Sequence, residues 1–324
     1  MPTERKSSAM SRGHALACVG AVAMNAYREA VRARILHGLL AFALAACGYS
    51  VIVASLSVDQ QARVVSDVGS ASISLSAVLV AIVLGATALY RELELKTIFP
   101  ILARPIRRHE YLIGKYLGIL LTLFVFVAID GAVVLGLLAL ETDASPPAVL
   151  CAAGALAVAL ALLLVRFRRA RVAVLVPWSA CAFAVMAVLA APAGANRQVV
   201  IASAVLTLSE VAIITAVATL FSSFSSPFLT AMFTLSVFLI GRSADTLAHL
   251  PVHQVGAGIK RIASVIAHVV PNLQVYVPTR PILLGQVPDV HVWPLVAKGA
   301  LQAGAYAVVM LALASLIFRR RDFT

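Results

Sequence analysis

Charged residues are scarce in this chain. Asp, Glu, Lys and Arg make up 12% of its 324 residues, and hydrophobic residues make up 61%. Soluble domains contain roughly 25% charged residues, and a chain with half that share would expose large apolar patches to water. The composition therefore excludes an ordinary soluble enzyme or binding domain and predicts that lipid surrounds most of the protein.

The apolar segments also lack the alternation of polar and apolar residues that the strands of a membrane barrel require. Because backbone groups in hydrocarbon must satisfy one another, the architecture that remains is a bundle of helices. We predict an all-α, polytopic transmembrane helix bundle. The length leaves no room for a second soluble domain of ordinary size, so residues 1–324 are predicted to form one transmembrane domain.

Cysteine is rare as well. The four cysteines are Cys18, Cys47, Cys151 and Cys181, and no two of them form a Cys-x-x-Cys pair. Their spacing supports neither a disulfide framework nor a zinc site. We interpret them as small packing residues.

A phosphate-binding loop is missing from the sequence. Gly114-Lys115 is followed by Tyr116, whereas the loop requires Ser or Thr at that place. We therefore expect neither ATP hydrolysis by this chain nor a cofactor bound to it.

Eight apolar segments are each near the length of about 20 residues that a helix needs to cross roughly 30 Å of hydrocarbon. The fourth and fifth flank a short basic linker, which predicts a helical hairpin at residues 148–191. The predicted spans are Ile35–Leu56, Ser70–Tyr90, Tyr116–Leu140, Ala148–Val165, Val172–Ala191, Val199–Phe221, Phe228–Leu247 and Pro294–Phe318.

The positive charges predict the orientation of these spans. Nineteen of the 26 Lys and Arg residues fall in the N-terminal segment, the 91–115 linker, the hairpin linker and the C-terminus, which lie on one side of the membrane. Positive loops stay on the cytoplasmic side, so both termini are predicted to be cytoplasmic, in a bacterial-type inner membrane. The basic residues are spread over separate membrane edges, which favours contact with anionic lipid over binding of nucleic acid.

The segment before the first span is apolar from His14 to Met24 and basic from Arg28 to Arg34. This pattern predicts an amphipathic helix, residues 14–34, lying on the inner leaflet. The alternative is a disordered tail up to about Ala23.

The linker between the second and third spans has too many charges to enter lipid. It contains, in order, Glu92, Thr97, Ile98, Ala103, Arg104, Pro105, Ile106, Arg108, Glu110, Tyr111, Leu112, Gly114 and Lys115, with Gly118 one turn further on. This order resembles the cytoplasmic coupling region of ABC-2 type permeases. It departs from the family pattern at Lys96, where Gly is usual, and at Pro100.

Other segments extend the resemblance to the family. Residues 27–34 resemble its "elbow" helix, Phe221–Pro227 its inner turn between two late spans, and Val270–Leu273 the outer segment before its last span. Gln60–Gly69 looks like the first outer loop of a subgroup that includes the permease of the transporter that matures nitrous oxide reductase. The 148–191 hairpin is extra to the usual six spans.

The resemblance implies a permease subunit driven by a separate ATPase. It implies that residues 92–113 dock on a dimer of cytoplasmic ABC ATPase subunits, which bind ATP and Mg, and that the permease pairs with a second copy of itself. The direction implied is export, of a hydrophobic or amphipathic compound. The implied ATPase-coupling residues are Glu92, Glu94, Thr97, Arg104, Pro105, Arg107, Arg108, Glu110 and Lys115. The alternative role for the arginines is anchoring of the loop to anionic headgroups.

Two carboxylates lie deep in predicted spans, Asp130 in the third and Glu210 in the sixth. Acidic residues at membrane depth are costly and usually face the protein interior or a water-filled path. We predict either a translocation path at both or hydrogen bonds that join helices. The partners would then be Thr122, Thr207, Ser209 or Thr215.

The segment 248–293 is the largest predicted outer loop. It holds His249, His253, His268 and His291, but Pro251 interrupts the helix that a metal site at the first two would need. We predict short, partly embedded helices near residues 255–270 instead. Just before this loop, Arg242 and Asp245 have the spacing of a pair on a helix surface.

Three other functions remain as alternatives. An ABC-2-like subunit would transmit motion to an extracytoplasmic partner without moving a solute. A polytopic membrane enzyme would need an outer-face cluster, and the outer loops offer only Asp289 beside His291. An ion channel would need a polar pore lining, for which two carboxylates give little support.

Overall fold

The computed structural model of the protein describes residues 3–57, 60–88, 108–142, 145–168, 170–244, 246, 270–278, 280–284 and 291–320. Their regular structure is helical, and no strand occurs among them. The predicted all-α bundle is therefore confirmed. Most of the predicted coupling region, the short helices predicted near 255–270, and His249, His253 and His268 lie outside the described residues.

Ten α-helices are present in the described part of the chain. They are α1 (Thr3–Arg32), α2 (Arg34–Ser55), α3 (Gln61–Ala88), α4 (Arg108–Leu140), α5 (Pro146–Arg166), α6 (Arg171–Leu189), α7 (Ala195–Ser222), α8 (Pro227–Arg242), α9 (Arg280–Leu283) and α10 (Val292–Arg320). Short 3-10 turns occupy Ala191–Ala193 and Gln274–Tyr276. Seven of the described helices, α2 to α7 and α10, are long and apolar enough to cross a membrane.

The seventh predicted span is shorter than the hydropathy pattern indicates. We predicted Phe228–Leu247, but α8 ends at Arg242 after 16 residues and Ser243 forms a turn. At 1.5 Å per residue this helix is about 24 Å long, less than the roughly 30 Å of the hydrocarbon layer. The helix is therefore interrupted at Ser243, and the next described residues, Ala244 and Thr246, are again helical.

Two helices begin earlier than predicted. The segment Gln60–Gly69, predicted as an outer loop, is helical from Gln61 and continues into α3. Likewise α4 begins at Arg108, eight residues before the predicted span. In both cases polar residues extend a helix beyond the lipid, where hydropathy does not detect it.

The centre of the bundle is formed by α3, α4 and α7, which pack against one another. Leu123 and Leu135 of α4 and Leu206 and Ile213 of α7 are among the largest side chains with almost no exposure. α2 and α10 cover this centre on its outside, and so does α6, with α5 packed against α6 as the second helix of a hairpin. Only Val149 of α5 is buried, so α5 is the most peripheral helix of the hairpin.

Proline and glycine begin or end several helices. Pro146 and Pro227 occupy the first positions of α5 and α8, where the missing N–H of proline costs nothing. Between α6 and α7 the chain turns at Gly194, whose φ of 51° lies in the left-handed region that favours glycine. These turns set the antiparallel order of neighbouring helices.

Candidate functional site

The first candidate site is the junction between α1 and the first turns of α4, directly after the predicted coupling region. Tyr27 has no exposed surface, and Ala26 and Ala30 are also buried. The two helices approach closely because Gly118 faces α1: a Cβ atom there would lie 2.5 Å from the carbonyl oxygen of Ala23. Gly114, one turn earlier, meets Val22 in the same way. Glycines four residues apart are a common basis of close helix contact in membranes.

A buried charge strengthens this junction. Lys115 of α4 is 5% exposed, and its Nζ lies 3.6 Å from an Oε atom of Glu29 on α1. Glu110, in the first turn of α4, is 8% exposed. These two predicted coupling residues therefore lie within the permease at the base of α4. A cavity of about 350 Å³ opens beside them and is lined by Glu29, Leu84 and Lys115 among others.

The remaining predicted coupling residues are not described. Glu92, Glu94, Thr97, Arg104, Pro105 and Arg107 lie outside the described residues, and of Arg108 only the backbone is described. The structure places the start of α4 at that arginine. The C-terminal part of the predicted docking segment, residues 108–113, thus forms the first turns of α4.

α1 also contacts the hairpin. The hydroxyl of Tyr27 donates a hydrogen bond of 2.9 Å to the carbonyl oxygen of Val172, in the first turn of α6. Burial raises the pKa of Tyr27 to about 12, so this hydroxyl remains a donor across the physiological range. This contact was not predictable from the sequence, because a tyrosine in an amphipathic helix also commonly lies at the lipid surface.

The second candidate site surrounds Asp130, in the middle of the bundle. Asp130 has no exposed surface. The thiol of Cys47 on α2 donates to Oδ1 at 3.0 Å, and the hydroxyl of Ser76 on α3 donates to Oδ2 at 3.4 Å. The carboxyl group therefore joins α2, α3 and α4, and neither of the partners is one that the sequence predicted.

The third candidate site is an ion pair between Glu210 of α7 and Arg242 of α8. Nε of Arg242 donates to Oε1 of Glu210 at 2.8 Å, and Nη2 donates to Oε2 at 3.0 Å. Ser74 of α3 completes the group, since Nη2 of Arg242 donates to its Oγ at 2.7 Å and this Oγ donates to Oε2 of Glu210 at 3.4 Å. Bidentate guanidinium–carboxylate pairs fix geometry as well as charge.

This ion pair corrects the predicted role of Arg242. The arginine turns inward to Glu210, whereas the sequence predicted a surface pair with Asp245, which lies outside the described residues. Glu210 has no exposed surface and Arg242 is 25% exposed. The guanidinium also lies over the ring of Phe238, with its carbon 5.4 Å from the ring centre, and it stands in the last turn of α8, where a cation complements the helix dipole.

The hydroxyls predicted as partners of the two carboxylates have other contacts. Thr122 donates to the carbonyl of Gly118, and Ser209 to the carbonyl of Val205. Thr215 is buried, and within the described ranges its hydroxyl has no hydrogen-bond partner. The prediction of partners failed because it considered only hydroxyls on the carboxylates' own helices, whereas Ser74 and Ser76 lie on α3. Opposite charges in two consecutive apolar helices, Glu210 and Arg242, were the signal that could have found the pair.

Beside the ion pair lies a cavity of about 320 Å³, here called the outer cavity. It lies toward the ends of α3, α7 and α8 that the charge distribution predicts to face outward. Its walls are Asp67, Ser70, Ala71, Ser74 and Leu75 of α3, Val199, Ser203 and Thr207 of α7, Phe238 and Arg242 of α8, and Tyr276, Val277, Pro278 and Leu283 of the segment before α10. The cavity brings together Arg242, Asp67 and five hydroxyl groups on an otherwise apolar wall.

A family model described as "ABC-2 family transporter protein" matches residues 2–323, which is nearly the whole chain. The matched range includes the α1–α4 junction, the hairpin and the outer cavity. No curated protein matches the chain.

Proposed function

Because the chain belongs to the ABC-2 family of transporter proteins, it is a permease subunit of an integral membrane transporter, and we propose that a separate ATPase subunit drives it. In this proposal the cytoplasmic ATPase binds ATP and its Mg, and the permease converts ATPase movement into export of a hydrophobic or amphipathic substrate. The permease acts as a pair of identical chains, as the family resemblance implies.

One structural observation supports the coupling most directly. α4 runs without interruption from Arg108, at the end of the predicted docking segment, to Leu140 on the opposite side of the bundle. It carries Lys115 at its base and Asp130 in its outer half. A helix of 33 residues is about 50 Å long, so a displacement at its cytoplasmic end reaches the far side as a tilt of the whole helix.

α1 extends this movement from α4 to neighbouring helices. It packs along the first turns of α4 through Gly114 and Gly118 and is held by the Lys115–Glu29 ion pair. It also contacts α6 through Tyr27. In the proposed mechanism α1, α4 and the hairpin move together when the docking segment moves.

The surroundings of the two intramembrane carboxylates favour a different predicted role for each, helix packing for Asp130 and the translocation path for Glu210. Asp130 is enclosed by Cys47 and Ser76 and joins three helices, which favours a packing role. Glu210 holds Arg242 at the edge of the outer cavity. We therefore propose that the polar part of the translocation path runs past the Glu210–Arg242 pair.

Charge reversal in the docking segment tests this function. We would purify the tagged permease from its native membrane and measure the ATPase activity that elutes with it. Arg104→Glu combined with Arg108→Glu is expected to abolish that activity, because the segment would no longer match acidic groups on the ATPase. Arg168→Glu, an exposed charge reversal in the hairpin linker on the same predicted side, is the matched control and is expected to retain it.

Two results would contradict the proposal. The first is folded wild-type permease that elutes with no ATPase activity. The second is full activity in the Arg104→Glu, Arg108→Glu variant at normal expression, which would leave only the lipid-anchoring role for these arginines.

A further inference from the structure

The outer cavity lies beside the end of α8 at Arg242. From Pro227 to Arg242 this helix rises about 22 Å, and Glu210 lies about 18 Å from the end of α7 at Ser222, so the ion pair is at similar depth in the two helices. Beyond the helix, the N–H of Leu273 donates a hydrogen bond of 3.0 Å to the carbonyl of Gly241. Non-helical backbone at membrane depth occurs where it is buried in protein or lines a cavity, and the segment 276–278 lines this one.

The polar groups on the cavity wall are mainly hydrogen-bond donors with capacity to spare. The hydrogen bonds of Arg242 to described residues use Nε and Nη2 and leave Nη1 with both of its N–H groups. The hydroxyl of Ser70 is buried and has no partner among the residues that the structure describes. Ser203 and Thr207 add two more hydroxyls to the same wall. A ligand with an acceptor oxygen would satisfy these groups.

The rest of the wall is apolar, with Leu75, Val199, Phe238 and Leu283 among its side chains. A volume of about 320 Å³ is at the lower end of the range for small-molecule sites, roughly 300–1,000 Å³. It suits a polar head with a short length of apolar body. A longer tail would extend out of the cavity into lipid.

The charge balance selects among possible heads. Glu210 holds two edges of the guanidinium at 2.8 and 3.0 Å, so the positive charge of Arg242 is already compensated. Asp67, on the same wall, lies 3.9 Å from Arg63. An anionic head at Nη1 would be attracted by the guanidinium of Arg242 and repelled by the carboxylate of Glu210, which lies a few ångströms behind it. A cationic head would be repelled by the guanidinium. An uncharged carbonyl or hydroxyl group pays neither penalty.

We propose that the outer cavity binds an uncharged amphipathic molecule, whose carbonyl or hydroxyl oxygen accepts a hydrogen bond from Nη1 of Arg242 while its apolar body lies against α3 and α7. Glu210 is a positioning residue, because it holds the guanidinium with Nη1 directed away from the ion pair. That this molecule is the exported substrate rests on the function proposed above, whereas its binding does not.

Three probes with one tail and different heads test the selection. They are 1-oleoylglycerol, oleyl sulfate and oleyltrimethylammonium, each carrying the same photoreactive diazirine in its chain. Each is titrated into the purified full-length permease in detergent, without ATPase or ATP, and crosslinking is mapped by mass spectrometry. We expect 1-oleoylglycerol to label peptides containing residues 67–75 and 276–283 at concentrations about tenfold lower than the two charged probes, because an anionic head is repelled by Glu210 and a cationic head by the guanidinium of Arg242.

Variants separate a site from partition into the detergent. Ser203→Leu fills the cavity without altering the ion pair and is expected to abolish labelling of both peptides. Ser236→Leu, on the exposed side of α8, makes the same substitution away from the cavity and is expected to leave labelling unchanged. Glu210→Gln combined with Arg242→Gln removes both charges together and is expected to weaken labelling by 1-oleoylglycerol about tenfold.

Two outcomes would overturn the proposal. Equal labelling of wild type, Ser203→Leu and Ser236→Leu would show partition only. Tighter labelling by oleyl sulfate than by 1-oleoylglycerol would show an anion site at Arg242. Because the assay contains no ATPase, it is independent of the test of the transport function. Selective binding by a permease that elutes with no ATPase activity would support the site and refute the transport function. Unselective binding by a permease that elutes with ATPase activity would refute the site and support the transport function.

Discussion

Single residues at membrane depth carry most of the information about this protein, because polar atoms there must find partners. Glu210, Arg242 and Ser74 form one hydrogen-bonded group across α3, α7 and α8, and Asp130, Cys47 and Ser76 form another across α2, α3 and α4. Ser74 and Ser76 lie two residues apart and so point to opposite sides of α3. One helix therefore connects both carboxylates to the centre of the bundle.

Breaking the ion pair from one side should be costly. Glu210→Gln leaves the guanidinium of Arg242 without its counter-charge, and we expect a loss of about 3 kcal/mol, the lower end of the usual cost because Arg242 is 25% exposed. Adding Arg242→Gln should recover a large part of that loss. The measurement is unfolding of the four proteins of this double-mutant cycle in mixed micelles. Additive losses from the two substitutions would contradict a direct pair.

Asp130 should tolerate a change that preserves its hydrogen bonds. In Asp130→Asn the amide oxygen can accept a hydrogen bond from the thiol of Cys47, and the amide N–H can donate one to the hydroxyl oxygen of Ser76. We therefore expect little change in stability or transport. Asp130→Leu leaves the thiol of Cys47 without this partner, while the hydroxyl of Ser76 still donates to the carbonyl of Ser72 at 2.6 Å, so the expected loss of stability is about 1 kcal/mol. Loss of transport in Asp130→Asn at normal expression and stability would instead place this residue in the translocation path.

The sequence predicted which residues would matter at this scale, but not their contacts. Asp130 and Glu210 stand out because acidic residues are rare in apolar helices, and this follows from composition alone. Their partners depend on how helices rotate about their axes, which packing decides. Cys47 as a donor to a carboxyl group was not predictable from spacing, since a lone cysteine in an apolar helix is ordinarily a packing residue.

At the scale of helices, the contact between α1 and α4 depends on glycine. A Cβ atom at position 118 would meet the backbone of Ala23 at 2.5 Å and the Cβ of Ala26 at 2.6 Å, and backbone cannot move aside as a flexible side chain can. Gly118→Ala is therefore expected to cost about 1–3 kcal/mol and to separate α1 from α4. Thermal unfolding and protease sensitivity of the N-terminus measure the two effects.

Gly304→Ala provides the control for that substitution. It lies in α10, where a Cβ atom would meet nothing within 4 Å, and alanine there should be neutral or slightly stabilising. If both substitutions have the same small effect, α1 is not packed against α4 as described. Separation of α1 should also lower ATPase stimulation if this helix moves with α4.

Hydropathy predicted the number of apolar segments well and their ends less well. α2 and α5 agree with the predicted spans within two residues at each end. α3 and α4 begin eight or nine residues earlier than predicted because Gln61–Gly69 and Arg108–Lys115 are polar but helical. α8 ends at Arg242, five residues before the predicted end, and the hydrogen bond that this last residue donates to Glu210 has no local signal in the sequence.

For the whole molecule, two polar regions lie at opposite ends of one helical frame. The α1–α4 junction follows the predicted docking segment, and the outer cavity lies beyond the Glu210–Arg242 pair. The frame between them is α3, α4 and α7, packed through side chains with almost no exposure. Family membership supports the permease assignment; the subgroup suggested by residues 60–69, the positive-inside orientation and the pairing of two copies stay predictions.

The most direct test of the proposed coupling measures whether ATP changes the outer cavity. In a permease whose native cysteines are replaced, Ser203→Cys places one thiol on the cavity wall and Ser236→Cys places one on the exposed side of α8. Both proteins are reconstituted with the ATPase that elutes with the wild type and are labelled with a membrane-impermeant maleimide, in the presence of ATP with vanadate and without nucleotide. If ATP hydrolysis is coupled to the outer cavity, the labelling rate changes several-fold at position 203 and does not change at position 236. An unchanged rate at position 203 in a complex that hydrolyses ATP would contradict this coupling.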